Sequence, residues 1–102
     1  MFAALTTPSY ANDIDSALKQ ANLSVSKKVI TWRRHLHQYP ELSNREFKTA
    51  QYVAHHLQML GLEVQTGIAH TGVVARLKGG KEGPLIALRA DMDALPVTEQ
   101  VD

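Results

Sequence analysis

Two acidic residues separated by a single position follow an apolar stretch near the end of this 102-residue chain. Asp91 and Asp93 come directly after residues 84–90 (Pro-Leu-Ile-Ala-Leu-Arg-Ala), a run typical of a strand covered on both faces. The carboxyl end of such a strand faces the crevice in which α/β sheets bind ligands. In extended backbone, side chains two positions apart leave the same face, with roughly 6–7 Å between their Cα atoms. Two carboxylates this close favour a shared proton or a bound cation, so Asp91 and Asp93 are the candidate site.

Three interpretations of this acidic pair stay open. The first is a solvated strand end that runs into a turn at Pro96. The second is phosphoryl transfer, with Asp91 as the nucleophile and Asp93 as the acid and base. The haloacid-dehalogenase pattern for that chemistry has Thr or Val where this chain has Leu95, and it usually lies near the start of its domain. The third is a hydrolytic metal centre, and it comes from the longer motif around the pair.

That longer motif resembles a known enzyme family. Residues 89–96 (Arg-Ala-Asp-Met-Asp-Ala-Leu-Pro) are similar to the R-A-D-M-D-A-L-P signature of the amidohydrolase branch of the M20 metallopeptidases. This branch includes hippurate hydrolases, N-acyl-amino-acid amidohydrolases and auxin-conjugate hydrolases. Residues 33–43 (Arg-Arg-His-Leu-His-Gln-Tyr-Pro-Glu-Leu-Ser), with Glu46 and Thr49 after them, resemble the family's opening R-R-x-L-H-x-x-P-E-L. Both motifs occur in the expected order, and the resemblance covers about residues 26–100.

The resemblance implies an α/β catalytic domain with two divalent metals, zinc or manganese, at its strand ends. In that family a metal-bridging water attacks the amide of an N-acyl amino acid or peptide-like substrate, and a glutamate is the general base. Related branches carry H-x-D-x-x-P at the acidic motif, which aligns Asp91 with a ligand and Asp93 with a residue that orients another ligand. In the amidohydrolase branch a cysteine of a later H-x-C-G-H-D motif takes the ligand's place. The resemblance therefore assigns Asp93 to positioning a metal ligand and leaves the role of Asp91 open.

The remaining metal ligands and the paired glutamates of the family have no counterpart in these 102 residues, and they are expected beyond Asp102. A catalytic zinc needs three protein ligands and an open position. We therefore expect a fragment that binds no metal tightly and hydrolyses nothing on its own. A non-catalytic small α/β domain that keeps the family scaffold is the alternative. The parent protein is expected to be a homo-oligomer that acts on small molecules.

Composition excludes several other functions. Eleven Lys and Arg residues are offset by ten acids, so the chain has no basic surface for nucleic acid or an anionic membrane. No apolar run reaches membrane-spanning length. The absence of cysteine excludes disulfides and thiolate metal sites within this segment. A chain of this length can form one small domain but not a two-domain enzyme.

The N-terminal residues have a separate interpretation. Residues 1–12 are predicted to be a signal-peptide remnant or a disordered N-terminus, and residues 13–102 the N-terminal part of the catalytic domain. Ser9 and Ala11 are small residues at the positions that a signal peptidase inspects, but no Lys or Arg precedes them and the apolar stretch is short. The protein is expected to be periplasmic or secreted if residues 1–11 are such a remnant, and cytoplasmic otherwise.

Two helices are predicted before the first motif ends. The first covers residues 13–22, with Asn12 or Asp13 as its cap, and the second covers residues 25–38, with Ser24 as its cap. Apolar side chains recur at helical spacing through both. Tyr39-Pro40 ends the second helix because the residue before proline is pushed out of helical geometry.

A further helix is predicted to begin at residues 43–46 (Ser-Asn-Arg-Glu) and to stop at Gly61. These four residues match a capping box, in which the Ser43 hydroxyl accepts from the Glu46 amide and the Glu46 carboxylate accepts from the Ser43 amide. Glu46 is therefore assigned to capping and left out of the site. The buried stripe of this helix is predicted to comprise Phe47, Ala50, Val53, Ala54, Leu57 and Leu60.

From residue 62 the apolar pattern changes from helical to extended. Strands are predicted at residues 62–66, 72–78 and 84–90, with turns at residues 67–71 and 79–83. The predicted fold is the incomplete N-terminal part of an α/β, zinc-peptidase-like catalytic domain, with two to three helices followed by about three strands. The histidines, His35, His37, His55, His56 and His70, lack the spacing of a helical metal pair. The pair His35 and His37 is assigned to a solvated or structural face, and His70 is assigned to an ordinary loop position.

Overall fold

The computed structural model of this protein describes residues 10–98, which form two helices followed by a two-stranded antiparallel sheet. The elements are α1 (Tyr10–Gln38), α2 (Phe47–Met59), β1 (Glu63–Ile68) and β2 (Gly72–Arg76). The prediction of an incomplete α/β fold is confirmed. The proposed signal-peptide remnant lies outside the described residues, apart from residues 10–12, whose backbone already belongs to α1.

α1 is one continuous helix where the sequence predicts two. The Ser24 hydroxyl donates to the Ala21 carbonyl at 2.7 Å, so Ser24 bonds to the preceding turn and does not cap a new helix. No proline or glycine interrupts residues 13–38, and nothing in that stretch forces a break. Because the backbone is helical from Tyr10, neither Asn12 nor Asp13 is its cap. The predicted end of the helix before Pro40 is confirmed.

The chain divides into two compact units, residues 1–35 and 36–102. In the described part of the first unit, Ile14, Leu18, Val25 and Val29, which helical spacing places along one face of α1, are exposed. Leu23 and Ile30, on the opposite side of the helix, are exposed as well. This unit therefore presents an amphipathic helix with an uncovered apolar face.

In the second unit α2 lies against the β1–β2 hairpin through small side chains. Ala50 and Ala54 are the buried apolar residues, and Thr49 is buried beside them. The predicted stripe is only partly correct, since Phe47 and Leu60 are exposed. Among the described residues no large side chain is fully buried. The described part of this unit therefore has a small core of short side chains and lacks the large buried side chains of a complete hydrophobic core.

The hairpin is held in a register that a bulge interrupts. Glu63 is opposite Arg76 and Thr66 is opposite Val73, but Ile68 is already opposite Gly72. The extra residue is Gly67, whose φ of 74° lies in the left-handed region that glycine tolerates. The turn predicted at residues 67–71 is present but shorter, at residues 69–71, because β1 continues to Ile68.

The third predicted strand is not formed. Residues 84–90 pair with no other strand among the described residues. Leu85 is 92 % exposed and Leu88 is 97 % exposed. A strand buried on both faces requires neighbouring strands and covering layers, and residues 10–98 supply neither to this segment. The hairpin turn predicted at residues 79–83 is wrong for the same reason.

None of the described helices combines the length and the apolar character that crossing a membrane requires.

Candidate functional site

The two predicted site residues lie on one face of a surface segment. Exposure alternates along residues 91–95: Asp91, Asp93 and Leu95 are exposed, and Met92 and Ala94 are half-buried. Alternation with a period of two is what extended backbone produces. Asp91 and Asp93 thus share the outward face of this segment, while the residues between and after them face the protein.

Asp91 has a cationic neighbour within its own motif. The Arg89 Nη2 donates to Asp91 Oδ1 at 3.0 Å, and the two side chains are 90 % and 71 % exposed. An ion pair this open to water contributes little to stability. The ion pair places the positive charge of Arg89 beside Asp91.

The two motifs identified in the sequence meet at a backbone hydrogen bond. The Ala94 N–H donates to the Glu41 carbonyl at 2.8 Å. Ala94 belongs to the acidic motif, and Glu41 belongs to the motif at residues 33–43. The fold therefore places the segment that carries Asp91 and Asp93 beside the loop that leads into α2.

The Glu41 side chain caps α2. Its two carboxylate oxygens accept from the backbone N–H groups of Lys48, at 3.1 Å, and Thr49, at 2.7 Å. These groups belong to the first turn of the helix, where N–H groups have no partner within the helix. Burial raises the pKa of Glu41, but hydrogen bonds from Thr49 and Lys48 outweigh it and hold the pKa below the ordinary value of 4.5.

The predicted capping box is wrong, because helix α2 begins at Phe47 and its N-cap residue is Glu46, whose side chain makes no cap bond. The Glu46 carboxylate accepts from the Asn44 N–H at 3.0 Å and from the Thr71 hydroxyl at 2.6 Å. The capping carboxylate comes instead from Glu41, five positions before the N-cap. The sequence does contain a signal for the capping role of Glu41, because a negative charge shortly before the start of a helix interacts favourably with the helix N-terminus.

Glu46 and Thr71 form a buried polar contact that sequence reasoning missed. Glu46 is 7 % exposed and Thr71 is 8 % exposed. The contact joins the start of α2 to the turn between the strands. The hydrogen bond from Thr71 is the main reason that the pKa of Glu46 is lowered. No residue spacing in the sequence indicates this pair, because its members belong to different elements.

An open groove of about 350 Å³ lies between α2 and the hairpin. Helix residues Ala50, Ala54 and His55 form one side of it, and the turn residues His70 and Thr71 are on the other side. The His70 ring meets the Phe47 ring edge-on, with centroids 5.4 Å apart. His55 and His70 therefore border the groove.

The residues that the structure describes do not by themselves complete a metal site. Within residues 10–98 no three His, Asp or Glu side chains are grouped so that they can hold one ion. Asp91 and Asp93 supply carboxylates of the kind that divalent metals bind, but a catalytic centre requires more ligands than this pair. The position of the remaining ligands stays a prediction.

Acidification is expected to destabilise the second unit through Glu41 and Glu46. Both carboxyls have a pKa below 4.5 in the folded chain, so the folded state binds fewer protons than the unfolded chain. Their contribution to the free energy of unfolding is complete above about pH 4.5 and disappears as the pH falls through the folded-state values. Urea unfolding monitored from pH 7 to pH 3 measures it.

The matched variants are Glu41→Gln and Glu46→Gln, each of which removes one titrating group. We expect each to be less stable than the parent at pH 7 and to lose less further stability at pH 3. Glu63→Gln is the control, since Glu63 forms an exposed ion pair with Arg76. Equal acid sensitivity in the parent and both variants would contradict the assignment.

Comparison with known proteins finds relatives among curated sequences, although two other comparisons find no match. No family model matches the chain, and no solved structure matches it significantly. Thermostable carboxypeptidase 1 of Saccharolobus solfataricus is 45 % identical over 91 residues, which are 88 % of this chain and 23 % of that protein. N-acetyl-L-cysteine deacetylase of Bacillus subtilis is 44 % identical over 93 residues, which are 87 % and 22 % of the two chains.

N-acyl-L-amino acid amidohydrolase of Geobacillus stearothermophilus is 51 % identical over 76 residues, which are 74 % of this chain and 20 % of that protein. The chain thus spans about a fifth of the length of the curated relatives it matches. All three relatives are hydrolases by name. The chain belongs to the amidohydrolase branch of the M20 family, an enzyme family of hydrolases, and corresponds to one segment of its members.

Proposed function

We propose that this chain is a segment of a metal-dependent amidohydrolase that hydrolyses the amide bond of N-acyl amino acids or related conjugates. The observation that carries the proposal is the bond between the Ala94 N–H and the Glu41 carbonyl, which joins the two motifs. Two relatives, a deacetylase of N-acetyl-L-cysteine and an amidohydrolase of N-acyl-L-amino acids, support the substrate class.

Zinc or manganese is the proposed cofactor of the parent protein. When bound, such a metal supplies a water nucleophile near neutral pH and stabilises the oxyanion. We assign Asp93 to positioning a metal ligand, and the role of Asp91 remains open between a ligand and a neighbour of one. The proposed partner of the parent is a small molecule with an acylated amine, and the parent is proposed to be a homo-oligomer that binds neither nucleic acid nor membrane.

The 102-residue chain alone is proposed to be inactive. Its acidic motif lies on a segment whose preceding residues, 84–90, are exposed and unpaired within the described fold. Catalysis requires reacting groups to be held in place and water to be excluded from the site. An exposed segment without a pairing partner meets neither condition.

The test is to incubate the purified chain with Zn²⁺ or Mn²⁺ and to follow amine release from hippurate and from N-acetyl amino acids. We expect no turnover. Turnover by the chain would overturn the inactivity, and its loss in Asp93→Asn would assign the site. A phosphoaspartate trapped on Asp91 after incubation with a phosphate ester would favour phosphoryl transfer instead.

The DNA that follows the codon for Asp102 tests the family assignment in a second way. We expect the frame to continue into a Cys-Gly-His-Asp-like motif, which would supply the further ligands. If such a frame exists, its full product should hydrolyse N-acyl amino acids in the presence of the metal. A full product that binds zinc and hydrolyses no acyl amide would contradict the proposed reaction.

A further inference from the structure

We infer that Glu41 is a positioning residue for the segment that carries Asp91 and Asp93, which it links to the first turn of α2. The catalytic meaning of this link rests on the proposed function. The link itself rests on three hydrogen bonds made by one residue, two through its side chain and one through its backbone.

The side-chain end of the link is fixed on the helix. The Glu41 carboxylate binds the N–H groups of Lys48 and Thr49 with one oxygen on each. Charge-assisted bonds of this kind are shorter and stronger than neutral ones, and the positive end of the helix dipole adds to them. A residue held at two points by its side chain has little freedom to move its own carbonyl.

The backbone end of the link reaches the acidic segment. The Glu41 carbonyl accepts from the N–H of Ala94 at 2.8 Å, and Ala94 is the residue directly after Asp93. Ala94 is half-buried although residues 84–90 before it are exposed. The position of the two acids relative to α2 is therefore set at Glu41.

A purely structural helix cap makes a different prediction from a positioning residue. If Glu41 only caps the helix, its removal weakens α2 and the segment at residues 91–95 by similar factors. If Glu41 positions the segment, its removal releases residues 91–95 more than it affects the interior of α2. Local opening of this kind is measured residue by residue by amide hydrogen exchange.

The experiment is amide exchange by NMR on the full 102-residue chain, with Glu41→Ala and Glu41→Gln compared with the parent. In Glu41→Ala we expect the Ala94 amide to exchange roughly tenfold faster or more, while the Ala54 amide changes by less than about threefold. Glu41→Gln should rescue part of the Ala94 protection, because its amide oxygen still accepts one of the two bonds. Unchanged Ala94 exchange, or equal acceleration at Ala94 and Ala54, would overturn the inference.

Ala94→Pro tests the link from its other end. Proline has no N–H, so this variant removes the donor and leaves the Glu41 side chain intact. We expect the chemical shifts of residues 91–93 to change, while the Lys48 and Thr49 amides keep their protection. Unchanged shifts at residues 91–93 would overturn the inference. Neither measurement uses catalysis, so failure here is distinct from failure of the proposed hydrolase activity.

Discussion

Replacing Gly72 with alanine is expected to lower the free energy of unfolding by about 1–3 kcal/mol, the usual cost of forcing an extra methyl group into a closed space. A Cβ at this position would collide with the backbone carbonyl oxygen of Ile68. Ile68 is the residue opposite Gly72, at the end of the bulged register. A backbone atom cannot turn away as a side chain does, so the last pair of the hairpin must open.

Gly80→Ala is the matched control, because the same methyl group there has no atom within 4 Å. A glycine-to-alanine change at a compatible site stabilises by about 0.4–1 kcal/mol through the unfolded chain. Urea unfolding followed by circular dichroism compares the two variants with the parent, and NMR shifts of residues 63–76 locate the damage. Equal unfolding midpoints for Gly72→Ala and Gly80→Ala would show that the close approach is not a constraint.

Thr71→Val is expected to be the second most damaging substitution. The change keeps the shape of the side chain but removes the hydroxyl that donates to Glu46 at 2.6 Å. It leaves the Glu46 carboxylate, in a residue only 7 % exposed, without its strongest partner. Loss of a partner for a buried polar group costs more than the bond itself was worth. The unfolding midpoint should fall, and the pKa of Glu46 should rise toward its ordinary value.

Thr66→Val provides the control for this change. Thr66 is an exposed strand residue, and a β-branched apolar side chain is equally suited to that position, so we expect a change within about 0.5 kcal/mol. A double-mutant cycle with Glu46→Gln isolates the contact. If the effects of Thr71→Val and Glu46→Gln are simply additive, the two groups do not interact and the contact does not join α2 to the hairpin.

Local patterns were sufficient to predict most of the secondary structure. The helical spacing of Phe47, Ala50 and Ala54 predicted α2, and the change to an extended pattern after Gly61 predicted the hairpin. The division of α1 failed because Ser24 was interpreted as a cap, although nothing around it breaks a helix. Residues 84–90 failed for another reason, since a strand exists only when another strand pairs with it, and its own sequence does not supply that neighbour.

The sequence nominates the residues of the candidate site, and that assignment stays a prediction, but it gives no indication of their contacts. Asp91 and Asp93 were identified from their type, their spacing and the motif around them. The link from Ala94 to Glu41 joins residues far apart in the sequence, and no periodicity carries that information. The exchange of roles between Glu41 and Glu46 is similar, because either acid suits the start of a helix and only tertiary contacts select one.

The exposure of Asp91 and Asp93 agrees with the simplest interpretation of the pair, a solvated position without a catalytic role. The exposed apolar residues around the pair do not agree with a self-contained domain. A self-contained small domain would cover its apolar residues, whereas Leu77, Leu85, Ile86, Leu88 and Leu95 are all at least three-quarters exposed. An apolar surface this extensive in a small unit is characteristic of an interface that another part of a protein covers. Exposed acids on an uncovered segment therefore agree with a piece of a larger catalytic domain.

The exposed run at residues 84–90 is also expected to influence how this chain behaves in solution. An unpaired extended segment rich in Leu and Ile is a template on which further copies can add, strand by strand, toward an aggregate. Proline and charged side chains at the flanks of such a run act against that growth, and here they are Pro84, Arg89 and Asp91. Asp91, whose role in the proposed hydrolytic centre is open, is thus also expected to oppose aggregation of the isolated polypeptide.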